Sequence, residues 1–178
     1  MSSTPIWIEQ WLAGPELRLC QRLNRCCQNR GLRSLFRVIS KVGDGYAWYA
    51  LMLALLVLGG DRGVQTTLRM ALVGLVSVLI YRSLKRLTKR PRPYTRHQGI
   101  AAHIAALDEF SFPSGHTLHA VSFSLVAVSW YPGLAVVLVP FTVLVAASRV
   151  ILGVHYPSDV LAAVVLGVLL ALPALGPG

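Results

Sequence analysis

Long apolar stretches alternate with short polar clusters along this chain, and the stretches have the length of membrane-spanning helices. The clearest one covers residues 110–147, where Asp, Glu, Lys and Arg are absent. It is too long for one span of about 20 residues. The Trp-Tyr-Pro-Gly sequence at 130–133 combines turn-forming and interfacial residues, which predicts a helical hairpin. In total the pattern predicts five spans, at residues 45–60, 64–84, 114–130, 133–149 and 157–175.

The residues before the first predicted span follow a different pattern, in which cations recur mostly every three or four positions with apolar residues between them. These cations are Arg18, Arg22, Arg25, Arg33, Arg37 and Lys41. The segment is too charged to span, so we predict one or two helices that lie on the membrane surface and break near Gly31. A soluble helix that pairs with a partner is the alternative.

The expected fold class is therefore all-α. It is a membrane helical bundle of about five spans, preceded by an N-terminal amphipathic surface helix. Residues 1–44 form the basic surface segment, and residues 45–178 form the transmembrane domain. Residues 1–14 lack a basic start followed by an apolar core, so no cleavable signal is predicted.

Composition agrees with a membrane protein and excludes most other classes. Of the 178 residues, 54% are hydrophobic and 13% are charged, whereas soluble domains carry about 25% charged residues. Lys and Arg outnumber Asp and Glu by 17 to 7, giving a formal charge of +10. Little soluble surface remains for a nucleic-acid interface, so we expect no nucleic-acid partner and interpret the cations as orientation signals or anionic-lipid contacts.

Three clustered cysteines, Cys20, Cys26 and Cys27, form neither a disulfide framework nor a zinc-site pattern. We interpret them as small apolar residues on a membrane-facing helix.

Three polar clusters stand out against the apolar background, at residues 85–93, 113–116 and 148–159. The first follows the second span, the second opens the third span, and the third follows the fourth span. Since the hairpin turn at 130–133 lies at the opposite membrane face, all three clusters are expected at one face.

The clusters contain the groups that bind phosphate. Lys85, Arg92 and Arg149 supply cations for phosphate oxygens. Ser114 and Gly115 open a helix, where free backbone N–H groups and the helix dipole favour an anion.

Two histidines add the chemistry of phosphoryl transfer. His155 is followed four residues later by Asp159, an arrangement typical of a nucleophile or base with an orienting acid. His116, which has no acid nearby in sequence, is placed to protonate a leaving oxygen. Asp108, Glu109 and Asp159 are the acids near the clusters, too few beside three cations for magnesium, so we predict a metal-independent site without a cofactor.

The loop at residues 90–112 joins two spans and is long enough to be functional, so it is a candidate rim for the site. Its candidate residues are Pro91, Pro93, His97, His103, Asp108 and Glu109.

The three blocks together resemble the signature of the type 2 phosphatidic acid phosphatase family, which also occurs in vanadium haloperoxidases and bacterial acid phosphatases. They read Lys85-x6-Arg92-Pro93, Pro113-Ser114-Gly115-His116 and Ser148-Arg149-x5-His155-x3-Asp159. The resemblance implies that His155 is the nucleophile that forms a phosphohistidine, that Asp159 orients it, and that His116 is the general acid. It also implies a set of residues that hold the phosphoryl group, namely Lys85, Arg92, Ser114, Gly115 and Arg149.

The resemblance implies an integral membrane lipid phosphatase. Its expected substrates are undecaprenyl diphosphate, phosphatidylglycerol phosphate or phosphatidic acid, among which the sequence does not choose. A lipid-to-lipid phosphotransferase that uses the same intermediate is the first alternative, and a non-enzymatic protein that binds anionic lipids is the second. Five predicted spans argue against a haloperoxidase.

The expected location is the cell membrane, with several passes, and this is the inner membrane if the source is Gram-negative. All Lys and Arg residues except Arg62 and Arg69 fall on the predicted motif face, which by the positive-inside rule places the site in the cytoplasm. Relatives that recycle carrier lipid resemble exported-face enzymes. The side and the oligomeric state stay open at the level of sequence.

Overall fold

The structure is a computed structural model that describes residues 6–176, and within these residues the chain forms helices and no strands. The helices are α1 (Ile6–Arg25), α2 (Arg30–Lys41), α3 (Ala47–Leu58), α4 (Gly60–Thr88), α5 (Pro93–Arg96), α6 (Gly115–Trp130), α7 (Ala135–Ile151) and α8 (Pro157–Ala171). The prediction of an all-α membrane bundle is confirmed.

Helix α6 is the centre of the bundle and packs against α4, α7 and α8. Most of its residues are buried, and Trp48 of α3 contacts Phe123 of α6 edge to face, with ring centroids 5.6 Å apart. Helix α8 passes especially close, because a Cβ at Gly167 would lie 2.9 Å from Cβ of Val121. This close packing fixes the start of α6 relative to the start of α8, where two of the polar clusters lie.

Four helical segments of the described chain are long and apolar enough to cross a membrane: Arg30–Leu58, Gly60–Arg96, Pro132–Ile151 and Pro157–Ala174. Helix α6, predicted as a fifth span, has 16 residues and is shorter than a usual span. Since neighbouring helices surround it, its length is not set by contact with lipid. Many large aliphatic side chains on the outer helices are exposed, as expected where lipid replaces water.

The N-terminal part of the bundle differs from the sequence expectation. Helices α2 and α3 are separated by a kink at Asp44 and Gly45, whose dihedral angles are not helical. Together they form an apolar segment that could span the membrane and that begins at Arg30, not at residue 45. The apolar side of α2 is exposed, while Arg37 donates a hydrogen bond from Nε to the carbonyl of His103 in the long loop. The division of the chain at residue 44 stays a proposal.

Helix α1 lies across the end of the bundle that carries the polar clusters. Its inward side includes Asn24, whose amide nitrogen donates to the carbonyls of Ala101 and Ile151, each at 3.0 Å. Cys20 and Cys27 are buried against the protein, not against lipid, which corrects the expected direction of these thiols. Burial, followed by the charge of Glu16, raises the pKa of Cys20 to about 12.

Candidate active site

The three polar clusters meet around one cavity of about 870 Å³. The end of α4, the start of α6, the end of α7 and the loop before α8 each contribute to it. The predicted residues that line it are Lys85, Arg92, Gly115, His116, Arg149 and His155. Ser114 and Asp159 are fully buried behind this lining.

His155 is buried between a cation and a carboxylate. Its Nε2 lies 3.4 Å from Nη1 of Arg92, and its Nδ1 lies 3.4 Å from Oδ2 of Asp159, longer than an ordinary hydrogen bond. Burial, followed by the charges of Arg149, Arg92 and Lys85, holds the pKa of His155 well below its ordinary range. The imidazole is therefore neutral at neutral pH. Since an arginine N–H faces Nε2, we place the ring hydrogen on Nδ1, facing Asp159.

Asp159 is held by more partners than His155. Its Oδ2 accepts a hydrogen bond from the backbone N–H of Tyr156 at 2.9 Å, in the first turn of α8. Its Oδ1 accepts one from Nη1 of Arg90 at 2.7 Å. Arg90 also pairs with Glu16 of α1 at 2.9 Å, and Glu16 accepts from the backbone N–H of Ser158 at 2.8 Å. These contacts fix the carboxylate beside His155 independently of any substrate.

Lys85 and Arg92 both contact Asp108 of the long loop. Nζ of Lys85 lies 2.7 Å and 2.9 Å from the two carboxylate oxygens, and Nη2 of Arg92 lies 2.8 Å from Oδ1. Burial alone would raise the pKa of the Asp108 carboxyl. The hydrogen bond and charge of Lys85, followed by those of Arg92, outweigh burial and hold this pKa below its ordinary value. A phosphoryl group that binds these cations would therefore replace a carboxylate already placed on them.

The predicted rim loop contributes only in part. Asp108 and Glu109 line the cavity, whereas His97 and His103 do not. His97 instead packs edge to face on Tyr156, with ring centroids 6.2 Å apart.

Arg149 lines the cavity with a buried guanidinium that is only partly hydrogen-bonded. Its guanidinium is buried, Nη1 donates to Oγ of Ser40 in α2, and Nε has no hydrogen-bond partner among the described residues. A buried guanidinium N–H without a partner is costly, so it favours binding of an anion at this point.

His116 contacts an acid that its sequence neighbours do not supply. Its Nε2 lies 3.1 Å from Oδ1 of Asp44, in the turn between α2 and α3. Ser114, by contrast, caps its own helix, because its Oγ accepts a hydrogen bond from the backbone N–H of Thr117 at 3.5 Å. Its side chain is therefore turned away from the cavity, while Gly115 lines it.

Four contacting residues were missed as functional by sequence reasoning, namely Ser40, Asp44, Arg90 and Glu16. The only local signal for Asp44 is its position between two glycines in an otherwise apolar stretch. Arg90 stands within the first signature block but outside its fixed positions. Asp44 and Glu16 also correct the expectation that acids near the site were confined to Asp108, Glu109 and Asp159.

The cavity continues away from the cations as an apolar groove. Its lining there comes from α3, α4 and α6 and includes Trp48, Met52, Leu75, Val78 and Phe123. Within residues 6–176, no group of three or more His, Cys, Asp or Glu side chains is arranged to hold a metal ion. Metal independence stays a prediction.

Comparison with known proteins gives relatives along much of the chain. A decaprenylphosphoryl-5-phosphoribose phosphatase of Mycobacterium tuberculosis is 43% identical over 86 residues, which are 47% of this chain and 45% of that protein. An undecaprenyl-diphosphatase of Sulfolobus acidocaldarius is 30% identical over 140 residues, which are 76% of this chain and 66% of that protein. The chain thus matches about half to two thirds of the length of these curated relatives.

Two solved structures share the fold. The transmembrane PAP2 type phosphatidylglycerolphosphate phosphatase from Bacillus subtilis superposes with a TM-score of 0.74 and 25% identity, covering 92% of this chain and 84% of that one. Aquifex aeolicus LpxE superposes with a TM-score of 0.78 and 21% identity, covering 90% and 94%. The sequence model of the PAP2 superfamily matches residues 66–175, which contain all three signature blocks. The chain therefore belongs to the PAP2 superfamily, the type 2 phosphatidic acid phosphatases that these blocks predict.

Proposed function

We propose that this protein is an integral membrane lipid phosphatase that hydrolyses a lipid phosphate or diphosphate through a phosphohistidine formed on His155. One observation carries the proposal: a single cavity has a neutral histidine among cations at one end and an apolar groove at the other. The cationic end suits a phosphoryl group, and the groove suits the chain of a lipid.

The cations suit binding as well as catalysis. Arg149 adds a buried positive charge to the lining, and Lys85 and Arg92 have donors that Asp108 occupies at present. Cations around the phosphorus stabilise the charge that builds up on its oxygens in the transition state. Because the site is buried, these charges act more strongly than they would in water.

In the first step, the lone pair on Nε2 of His155 attacks phosphorus, and the bond from phosphorus to the leaving oxygen breaks. His116 gives a proton to that oxygen, so the lipid leaves as a neutral alcohol or, from a diphosphate, as a protonated lipid phosphate. Asp159, held by Arg90 and Tyr156, stabilises the positive charge that develops on the His155 ring.

In the second step, water attacks the phosphohistidine. Neutral His116 takes a proton from the water, the P–N bond breaks, and its electron pair returns to Nε2. Inorganic phosphate leaves, and both histidines regain their starting states. If a lipid hydroxyl attacks in place of water, the same intermediate gives a phosphotransferase.

The relatives support a lipid substrate of the cell membrane. Besides the Sulfolobus protein, an undecaprenyl-diphosphatase of Bacillus subtilis is 27% identical over 124 residues, covering 70% of this chain and 64% of that protein. Undecaprenyl diphosphate is thus one candidate substrate, and phosphatidylglycerol phosphate and phosphatidic acid are the others.

The test is phosphate release by purified protein in detergent from each of these three lipids. We expect release from at least one lipid, and comparable loss of that activity in His155→Ala for every lipid that is cleaved. His103→Ala is the matched control, since this histidine lies at the same end but does not line the cavity. An added acceptor lipid that receives the phosphate would identify a transferase. No phosphate release and no transfer from any lipid would contradict the proposal.

A further inference from the structure

The turn between α2 and α3 aims a carboxylate at the proposed general acid. Asp44 (φ −86°, ψ 37°) and Gly45 (φ 115°, ψ −45°) leave helical geometry and form a kink between α2 and α3. A φ of 115° is a conformation that glycine adopts readily and other residues rarely do. The break places Oδ1 of Asp44 3.1 Å from Nε2 of His116.

Neighbouring contacts hold this turn in place. The carbonyl of Gly43 accepts a hydrogen bond from Nε1 of the buried Trp48 at 3.0 Å, and a Cβ at Gly43 would lie 2.7 Å from Val145 of α7. One turn earlier, buried Ser40 accepts from Arg149. The segment therefore gives two contacts to the cavity, although it lies outside the family-matched residues 66–175.

The positive charges near His116 make a neighbouring carboxylate, Asp44, important for its protonation. Burial, followed by the positive charges of Arg149 of α7 and Lys85 of α4, disfavours the His116 cation. The other titratable neighbours of His116 are His155 of the loop before α8 and His119 of α6 itself. Asp44 is the acid in contact with His116. A general acid has to carry its proton when the substrate is bound, and a carboxylate on one ring nitrogen favours that form.

We propose that Asp44 is a positioning residue that holds His116 in the cationic form and in the orientation needed to protonate the leaving oxygen. This inference rests on the phosphatase function proposed above. A cationic imidazole donates at both ring nitrogens. With Nε2–H directed to Asp44, the Nδ1 proton passes to the leaving oxygen as the P–O bond breaks, and His116 becomes neutral.

The test compares Asp44→Asn with wild type on two substrates that differ in leaving group. One is a lipid phosphomonoester, which releases an alkoxide, and the other is 4-nitrophenyl phosphate, which needs little protonation of its leaving group. We expect kcat/KM, which reports the steps up to departure of the leaving group, to fall about 10- to 100-fold on the lipid and less than about threefold on the nitrophenyl ester. The alkaline limb of the pH profile should move to lower pH, because the cation loses its stabilising charge.

Asp44→Glu should recover part of the lost activity, since it restores a carboxylate. Asp61→Asn is the matched control, because this exposed acid at the start of α4 makes the same change of charge away from the cavity. Equal thermal unfolding temperatures would show that the variants remain folded.

A double variant tests whether Asp44 acts through His116. In the His116→Ala background, Asp44→Asn should cause no further loss, because the residue through which it acts is gone. Three results would overturn the inference: losses of the two single variants that multiply in the double variant, equal losses on both substrates, or wild-type kinetics for Asp44→Asn. In each case an active wild-type protein would leave the proposed phosphatase function standing. A wild type inactive on every lipid phosphate would overturn both.

Discussion

The two histidines of the cavity are held by different parts of the chain. His155 is 2% exposed, and the side chains that contact it, Arg92 and Asp159, belong to the signature blocks. His116 contacts Asp44, whose side chain is 39% exposed and which precedes the family-matched residues 66–175. The proposed nucleophile is thus held by residues of the signature, whereas the proposed general acid is held by a residue of the N-terminal segment. We call these two parts of the cavity the nucleophile side and the acid side.

The difference separates two physical tasks. A nucleophilic imidazole has to be neutral, and burial among Arg149, Arg92 and Lys85 achieves this without further partners. A general acid has to be cationic in the same positive surroundings, and we propose that the carboxylate of Asp44 favours that form. The proposed mechanism therefore assigns opposite protonation states to two histidines in one cavity.

The largest effect is expected when the proposed nucleophile, His155, is removed. His155→Ala should lower kcat by about 10⁴-fold or more on every substrate, because no other group supplies the attacking nitrogen. Phosphate release together with circular dichroism checks this, and substantial residual turnover by the folded variant would contradict the assignment.

Removal of the acid should be less severe and should depend on the substrate. His116→Ala is expected to lower kcat/KM about 10²- to 10⁴-fold on lipid phosphomonoesters, but only a few-fold on 4-nitrophenyl phosphate. We compare kcat/KM because it reports the steps up to departure of the leaving group, whereas kcat also includes hydrolysis of the common phosphohistidine. Steady-state kinetics with both substrates measures the difference. An equal loss on both would mean that His116 does not protonate the leaving group.

Arg90 tests the nucleophile side indirectly, because it holds Asp159, which in turn lies beside His155. Arg90→Gln should lower kcat about tenfold, the effect of one hydrogen bond to a charged group, with little change in KM. The acid limb of the pH profile should move to higher pH, since Asp159 then stabilises the His155 cation more strongly. Exposed Lys89→Gln is the control, and a change confined to KM would refute the positioning role.

The pH dependence of the wild type reports the neutral state of His155. Its reactive form is lost as pH falls through its pKa, which burial and three cations hold well below the ordinary range. After correction for ionisation of the substrate, the acid limb of kcat/KM should therefore lie below about pH 6.5. An acid limb above this pH would show that the pKa of the His155 imidazole is not lowered in the working enzyme.

Chelation should have the smallest effect. Because cationic side chains surround the phosphoryl position, we expect EDTA to change phosphate release by less than about twofold. Complete inhibition that added Mg²⁺ reverses would show that a metal takes part.

The location of the site could be predicted from sequence because its residues stand at the ends of apolar stretches. The order of the spans then decides which ends share a face, and the structure brings Lys85, His116, Arg149 and His155 to one cavity accordingly.

The contacts of Asp44, Ser40 and Glu16 could not be predicted in this way. They depend on how α1 and α2 pack against distant helices, which hydropathy does not encode. The hydrogen bond from Arg37 of α2 to the carbonyl of His103 depends on the same packing. The role of Ser114 as a helix cap equally depends on its rotamer, which places its hydroxyl beside Thr117.

The most direct test of the central claim is to trap phosphate on the protein. Wild-type protein is mixed with a lipid whose terminal phosphate is labelled with ³²P, quenched within milliseconds and digested, and the labelled peptide is identified. The account predicts label on the peptide that contains His155 and no label in His155→Ala. Asp159→Asn should carry more label if the change slows breakdown of the intermediate more than its formation. Label on another residue, or rapid turnover with no labelled protein at any quench time, would contradict it.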